Sequence, residues 1–537
     1  MRLRNRIILC SLIFISTLLA FPQSSSSILA QRIEQIMARP EFRHALFGIK
    51  FYSLDTAKTL YELNADKLFK PASTTKLLTI GTALQTLGAD YHFHTRVYRT
   101  GSIKNGKLEG DLVLVGSGDP NLSGRIQPDG TLAFTNEDHS YDGDPNTQAV
   151  AGDPLLVIRE LADQIAKQIP KEIRGRVMVD ATLFPEGERE LGTGIVISPI
   201  VVNDNIIDVT LTPGTTTGAA TSMQVSPVTG YARFINQVKT GAPDARPDVQ
   251  ISSDTTDNDG RHTVTFSGTT PAGKPILYAY PVPEPSHFAA VVLAEALERR
   301  GVKIRKTEGK GSKIDFAALA QKFKEEDVVA EHVSPPLSEE AKVTLKVSQN
   351  LHASMWPYLL GALVRHAKSD IAQAGFDVEQ EFLSKAGLDL SGASQSDGAG
   401  GAEGGAYTPN FMVDYLKYMA TQKDYPVFLT ALPVLGKDGT LWNIQPASPA
   451  AGHVFAKTGT FGSSDALNRN TLLTAKGLAG YITTAAGEHL IFALYVNRVP
   501  LSRAPNESTR VAGQALGEIA ASAYDLPRSA AVAVGAQ

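Results

Sequence analysis

Apolar residues in this chain collect into short runs separated by Gly, Pro and polar clusters, and each run predicts an element. A basic start over residues 1–6 precedes an apolar run over 7–21, shorter than the roughly 20 residues a membrane span needs. Residues 24–27 are small and polar, and Ile28-Leu29-Ala30 offers a cleavage site before Gln31. That order is an export signal over 1–30, which places the mature protein in the periplasm. No later segment is apolar enough to span a membrane, so at most peripheral contact with one is expected. A short helix over 31–37 leads to a strand over 47–52, which pairs with 59–63. Pro71 precedes a helix from about Ser73 to Leu87, ended by Gly88. Asn105-Gly106 is a hairpin signal, and a strand over 111–115 follows. Residues 122–152, rich in Gly, Asp, Asn and Thr, read as a long surface loop. Asp153-Pro154 caps a helix to about Gln168. A strand over 176–179 opens a β-rich stretch to about Tyr280, and Pro281, Pro283 and Pro285 mark its exit.

Ser286 caps a helix to Arg300, while the charged, Pro-punctuated residues 306–345 yield no single element. A helical stretch begins near Ser348, and Pro357 should kink or end it. Strands are expected over 454–460, 478–484 and 489–497, then a helix over 508–524. Two strands and a helix early, with three strands and a helix late, predict an α+β protein: an antiparallel sheet with helices packed on it. At 537 residues the chain is too long for one core. The division expected is 31–96 and 282–526 as two halves of a catalytic domain, 97–281 as inserted β-rich domain(s), and 527–537 as a disordered tail.

The chemistry enters at Ser73-Thr74-Thr75-Lys76. A serine and a lysine at i and i+3 share one helix face, and burial or a second cation would lower the lysine pKa until it can take the serine's proton. Ser348-Gln349-Asn350 and Lys457-Thr458-Gly459 follow in the chain. Ser-x-x-Lys, Ser-x-Asn and Lys-Thr-Gly in that order are the signature of serine enzymes acylated by penicillin-like amides. Ser73 is the candidate nucleophile and Lys76 the candidate base. Ser348 is a candidate proton relay to the leaving amine, and Asn350 a candidate hold on substrate or on Lys76. Lys457 would supply positive charge for a carboxylate and help keep Lys76 neutral. The oxyanion would lie between the backbone N–H groups of Ser73 and Thr460, with Thr458 and Gly459 completing the substrate strand. A second Lys-Thr-Gly, at Lys239, has no apolar strand before it and reads as a turn. The Gly398 to Gly405 run lacks a following Lys-Ser/Thr and reads as a flexible loop.

The one cysteine, Cys10, lies in the export segment, so the remainder offers neither disulfide nor cysteine nucleophile. With 51 basic and 55 acidic residues, net charge −4, a nucleic-acid partner is not expected. The acidic stretch 137–144 lacks calcium-loop spacing and reads as solvated loop. No metal-binding cluster, His triad or Gly-x-Ser-x-Gly elbow is evident, so no cofactor is expected.

Beyond these motifs the chain resembles the low-molecular-mass class C penicillin-binding proteins, the D-alanyl-D-alanine carboxypeptidase/endopeptidase family. The likeness covers nearly the whole mature chain. Its carriers are PASTTKLLT around Ser73, GDLVLVGSGDPNLS over 110–123, LKVSQNLHA over 345–353 and SDGAG over 396–400, then LPVLGKDGTL over 432–441, AKTGT over 456–460 and LAGYITTAAG over 478–487. The resemblance implies a transpeptidase/β-lactamase-like domain with domains inserted between the first two motifs. It also implies peptidoglycan peptides as substrates, β-lactam antibiotics as covalent inhibitors, and Lys457 and Thr458 as ligands of the terminal carboxylate. Three departures stand out. Glu403 occupies the position where family members that grip a diaminopimelate side chain carry arginine. No acidic residue over 186–200 clearly matches the family's side-chain-amine contact. Phe461-Gly462 opens a longer loop, to about Lys476. The alternatives are a β-lactam hydrolase using the same residues, told apart by turnover of the penicilloyl adduct, and a non-catalytic wall-binding protein, which would bind muropeptides without cutting them.

Overall fold

Along the strand His489–Asn497, alternate residues serve two different cores, as strand geometry requires. Leu490, Phe492, Leu494 and Val496 pack with Leu29, Ile33, Leu516 and Ile519, which belong to the N- and C-terminal helices Ser25–Met37 and Gln514–Ala521. Ile491, Ala493 and Tyr495 face the opposite way, against Leu77, Ile80, Met412 and Leu416. The sheet is antiparallel and six-stranded. Its main path runs Val454–Asp465, Asn470–Thr483, His489–Asn497, Leu46–Ser53, Lys58–Leu63, and Val499–Leu501 pairs with the second of these. The computed structural model describes residues 25–141, 143–307, 314–504 and 506–528. Residues 1–24 of the expected export segment, and most of the tail expected from 527, lie outside the described residues.

The N-terminal helix starts at Ser25, earlier than expected, and Leu29 is wholly buried in the core beneath the sheet. A mature chain beginning at Gln31 would lack that side chain. The helix Lys76–Leu87 is buried from Lys76 through Leu84, so it runs through the interior. Leu77, Leu78, Ile80 and Leu84 each contribute about 1.5–3 kcal/mol by burial, which anchors the turn that carries Ser73.

A third core belongs to a mixed seven-stranded sheet ordered Val328–Val333, His94–Arg99, Leu112–Val115, Glu172–Asp180, Lys107–Glu109, Ser102–Lys104, with Lys303–Thr307 also on Glu172–Asp180. Two of its strands come from 303–333, so chain beyond residue 281 hydrogen-bonds into the sheet begun at His94. The helix Pro285–Arg299 makes the return possible, packing Phe288, Leu293 and Leu297 into that core. It opens at Pro285 with Glu284 as its cap, so Ser286 lies inside it. Smaller three- and four-stranded sheets fill 206–281. There Lys239-Thr240 forms a two-residue strand beside His262–Thr270 and Lys239 is exposed; the decoy motif is a sheet edge, where a turn was expected. The hairpin at Asn105-Gly106 forms, with both residues at positive φ. Residues 461–476, expected as a loop, extend the first two strands of the six-stranded sheet into a long hairpin, with a register shift at Phe461/Gly462. The helix Asn350–Leu363 continues through Pro357. No helix among the described residues is long and apolar enough to cross a membrane.

Candidate active site

The three motifs meet at the end of the buried helix. Ser73 lies in the 3-10 turn Ala72–Thr75, whose last residue leads directly into the helix Lys76–Leu87. The turn is entered through Ala72 at φ 46, a left-handed conformation that costs a non-glycine residue free energy. Two glycines let other backbone close upon it. A Cβ on Gly400 would lie 2.0 Å from the Ala72 carbonyl oxygen, and a Cβ on Gly459 would lie 2.4 Å from that of Pro71 and 3.2 Å from the Ser73 nitrogen. The lysine strand therefore passes directly against the nucleophile turn.

Lys76 Nζ donates to Ser73 Oγ at 2.8 Å, to Asn350 Oδ1 at 2.7 Å and to the Ala399 carbonyl at 3.0 Å. Its side chain is fully buried. Burial pushes the ammonium down to about 8, against the opposing pull of Glu190 and Asp397. Lys457 Nζ donates to Ser348 Oγ at 2.8 Å and to the Thr458 carbonyl at 2.9 Å. Burial, then repulsion from Lys76 and Lys476, holds Lys457 well below the ordinary lysine range. The second cation expected to help keep Lys76 neutral is present, but burial is what lowers Lys76, and the repulsion falls on Lys457. Ser348 takes φ 61, while Gln349 caps the following helix by accepting from the Leu351 nitrogen at 3.1 Å. Thr458 Oγ1 donates to Thr440 Oγ1 at 2.8 Å. Ser73, Lys76 and Asn350 thus form one hydrogen-bonded group and Ser348 with Lys457 a second, close enough for Lys76 to repel Lys457, with Thr458, Gly459 and Thr460 continuing the strand that carries Lys457.

The sequence model of the D-Ala-D-Ala carboxypeptidase 3 (S13) family matches residues 29–517. The chain belongs to that family. Membership makes it a serine-type peptidase, a hydrolase of the D-Ala-D-Ala carboxypeptidase class. Over 490 residues, 87% of this chain and 81% of the relative, it is 28% identical to the D-alanyl-D-alanine carboxypeptidase of Actinomadura sp. (strain R39). It is 24% identical to D-alanyl-D-alanine carboxypeptidase DacB of Haemophilus influenzae over 458 residues, 83% of this chain and 84% of the relative. The crystal structure of penicillin binding protein 4 (dacB) from H. influenzae superposes with a TM-score of 0.67 at 21% identity, covering 92% of this chain and 97% of that one. The fold is thus the penicillin-binding/β-lactamase-like α+β fold with additional sheets.

Several residues of this S13 protein's site were not foreseen from sequence. Asp397 organises the Gly-rich loop, its Oδ1 accepting from Gly400 N and its Oδ2 from Gly401 N, both at 2.7 Å, which presents the Ala399 carbonyl to Lys76. Glu190 accepts from Gly192 N at 2.6 Å and Thr193 N at 2.5 Å, close enough to act on Lys76. Glu403, which the sequence did single out, is exposed and lies 3.5 Å from Lys70, whose Nζ also lies over the Phe461 ring. Lys476, on the strand beside Thr460, donates to Thr460 Oγ1 at 2.7 Å and is only 6% exposed. Burial pushes it down to about 8.

Behind the second motif lies a buried ionic cluster, also unforeseen. The expected solvated loop over 137–144 instead sends Asp138 and His139 into the interior. Arg125 Nη2 donates to Asp138 Oδ2 at 2.7 Å and Asp204 Oδ2 at 2.6 Å, and Asp204 also meets His139, Gln349 and His352. Asp138, His139 and Asp204 converge closely enough to hold a metal ion, but the Arg125 guanidinium already rests on both carboxylates. Gln349 and His352 flank Asn350, so this cluster ties the second motif to the 97–281 segment.

Proposed function

We propose that Ser73 is the nucleophile of a D-Ala-D-Ala carboxypeptidase/endopeptidase acting on peptidoglycan stem peptides and cross-links. The observation that carries this reading is the buried Lys76 Nζ, hydrogen-bonded at once to Ser73 Oγ and Asn350 Oδ1. Neutral Lys76 takes the hydroxyl proton as Oγ bonds to the carbonyl carbon of the penultimate D-alanine. The Ser73 and Thr460 N–H groups receive the oxyanion. The C–N bond then breaks, its electron pair stays on nitrogen, and a proton reaches the leaving amine through Ser348. Water hydrolyses the acyl ester and regenerates Ser73. Asn350 orients Lys76. Lys457 polarises Ser348, and the strand 457–460 aligns the substrate backbone. A β-lactam acylates the same serine but leaves no departing amine, so the ester persists.

A periplasmic location follows from the basic-then-apolar start of the chain, with processing upstream of Leu29, because Leu29 belongs to the core. Strand pairing through Val333 supports an inserted region that reaches beyond residue 281.

The test is release of free D-alanine from an N-acylated peptide ending in D-Ala-D-Ala. Wild type should release it, Ser73→Ala should release none, and continued release by the variant would overturn the assignment.

A further inference from the structure

The second motif is held from outside the catalytic sheet, at both ends of one turn. Ser348 lies at φ 61, a left-handed conformation that is unfavourable for a serine and persists only where its surroundings enforce it. Its chain neighbours, Val347 and Gln349, are both wholly buried. The Val347 carbonyl accepts from Tyr141 Oη at 2.8 Å, and Gln349 Nε2 donates to Asp204 Oδ2 at 3.1 Å. Gln349 Oε1 is taken by Leu351 N, so that amide is fixed at both ends. The two outside partners are themselves linked. Tyr141 closes the 3-10 turn His139–Tyr141, and His139 Nε2 meets Asp204 Oδ2 at 2.7 Å. The strained serine therefore sits between two anchors supplied by the 97–281 segment.

Tyr141 also touches the serine side chain. Burial, then the charges of Asp138 and Glu137, hold its phenol above the ordinary range, against the opposing effect of a hydrogen bond with the Ser348 side chain. The phenol therefore keeps its proton, and it has one to give. That proton goes to the Val347 carbonyl, which leaves only an oxygen lone pair for Ser348, so the serine is the donor. Lys457 Nζ in turn donates to Ser348 Oγ at 2.8 Å. The hydrogen bonds run one way, from Lys457 through Ser348 to Tyr141 and on to the Val347 carbonyl. A serine hydroxyl held between a fixed donor and a fixed acceptor loses its rotational freedom.

We propose that Tyr141 is a positioning residue for the reaction: by accepting from Ser348 Oγ and anchoring Val347, it holds the Ser348 hydroxyl where its proton can pass to the departing nitrogen. The proposal rests on the Ser348 relay in the Ser73 mechanism. There the proton that Lys76 removes from Ser73 ends, by way of Ser348, on the nitrogen that keeps the electron pair of the broken C–N bond. A hydroxyl turned elsewhere would leave that nitrogen to depart as a strongly basic anion, so alignment matters most when the leaving atom is nitrogen.

The experiment compares two substrates with one acyl group. In acyl-D-Ala-D-Ala the leaving nitrogen needs a proton. In the acyl-D-Ala thiolester of thioglycolate the terminal carboxylate is kept, but a thiol ionises at about 8.5 and its sulfur departs without one. Tyr141→Phe keeps the ring and removes the hydroxyl. It should lower kcat/KM at least about tenfold for the amide and no more than about threefold for the thiolester, and the retained thiolester turnover shows that the variant folds. Ser348→Ala should show the same preference, more strongly. Equal losses on both substrates in Tyr141→Phe, or an unchanged amide rate, would overturn the proposal while a selective Ser348→Ala still supported the relay. An unselective Ser348→Ala would overturn the relay and the proposal together.

Discussion

Asn350→Asp places a carboxylate where Asn350 Oδ1 now accepts from Lys76 Nζ at 2.7 Å, with almost no change in shape. In the wild type Lys76 sits at about 8, against an ordinary 10.5. At pH 7 it is therefore neutral in roughly 10% of molecules, compared with about 0.03% for an unperturbed lysine, an advantage of about 300-fold for a general base. An opposite charge at hydrogen-bond distance raises such a pKa by roughly 1–3 units. The neutral fraction at pH 7 should then fall about 10- to 1,000-fold, equivalent to about 1.4–4 kcal/mol. The assay is the second-order rate of acylation by a fluorescent penicillin from pH 6 to 10. Wild type should climb and level off above about 8, while the variant should climb later and recover most of its deficit by about pH 10. A deficit constant across the range would mean that Asn350 matters through substrate contact alone, and an unchanged rate at pH 7 would refute Lys76 as the base.

Asp204→Asn should cost about 3–5 kcal/mol, because it leaves Arg125, His139 and His352 with too little buried negative charge; denaturant unfolding reads this directly. Burial alone would lower both histidines, but the carboxylates outweigh it, lifting His139 to about 10 and His352 to about 9. Their contribution is complete below about 6.5 and is lost as pH rises through 9–10, so Tm should fall over that interval, less steeply in Asp204→Asn. Gly459→Ala drives a Cβ to 2.4 Å from the Pro71 carbonyl, and the strand must shift off Ser73; penicillin acylation should drop at least tenfold, and retention of the wild-type rate would show that the close approach is dispensable. A chain beginning at Gln31 should be about 2–3 kcal/mol less stable than one beginning at Ser25, through loss of the buried Leu29, read as a lower denaturant midpoint.

Local signals made much of the fold legible. Asn105-Gly106, the helix ending at Gly88 and the alternating strand over 489–497 each carry their conformation in neighbouring residues. So do the three motifs, whose order alone gathers Ser73, Lys76, Ser348, Asn350 and Lys457. What stayed hidden is non-local. Lys476 reaches Thr460 Oγ1 only because the hairpin continues past Phe461 and pairs the two residues; a loop over the same residues gives its side chain no fixed face. Asp138 and His139 sit in a stretch whose composition resembles solvated loop, and they are buried because Arg125, 13 residues from Asp138, and Asp204, 65 residues from His139, come to neutralise them. The return of 303–333 to the sheet begun at His94 requires a helix to cross between them, and no residue in those strands announces its partner.

The measurement that tests the central claim most directly is the intact mass and peptide map of the protein after brief incubation with penicillin G. A single penicilloyl adduct on the peptide carrying Ser73, absent in Ser73→Ala, is the predicted result. An adduct on any other residue, or one that survives Ser73→Ala, would contradict it.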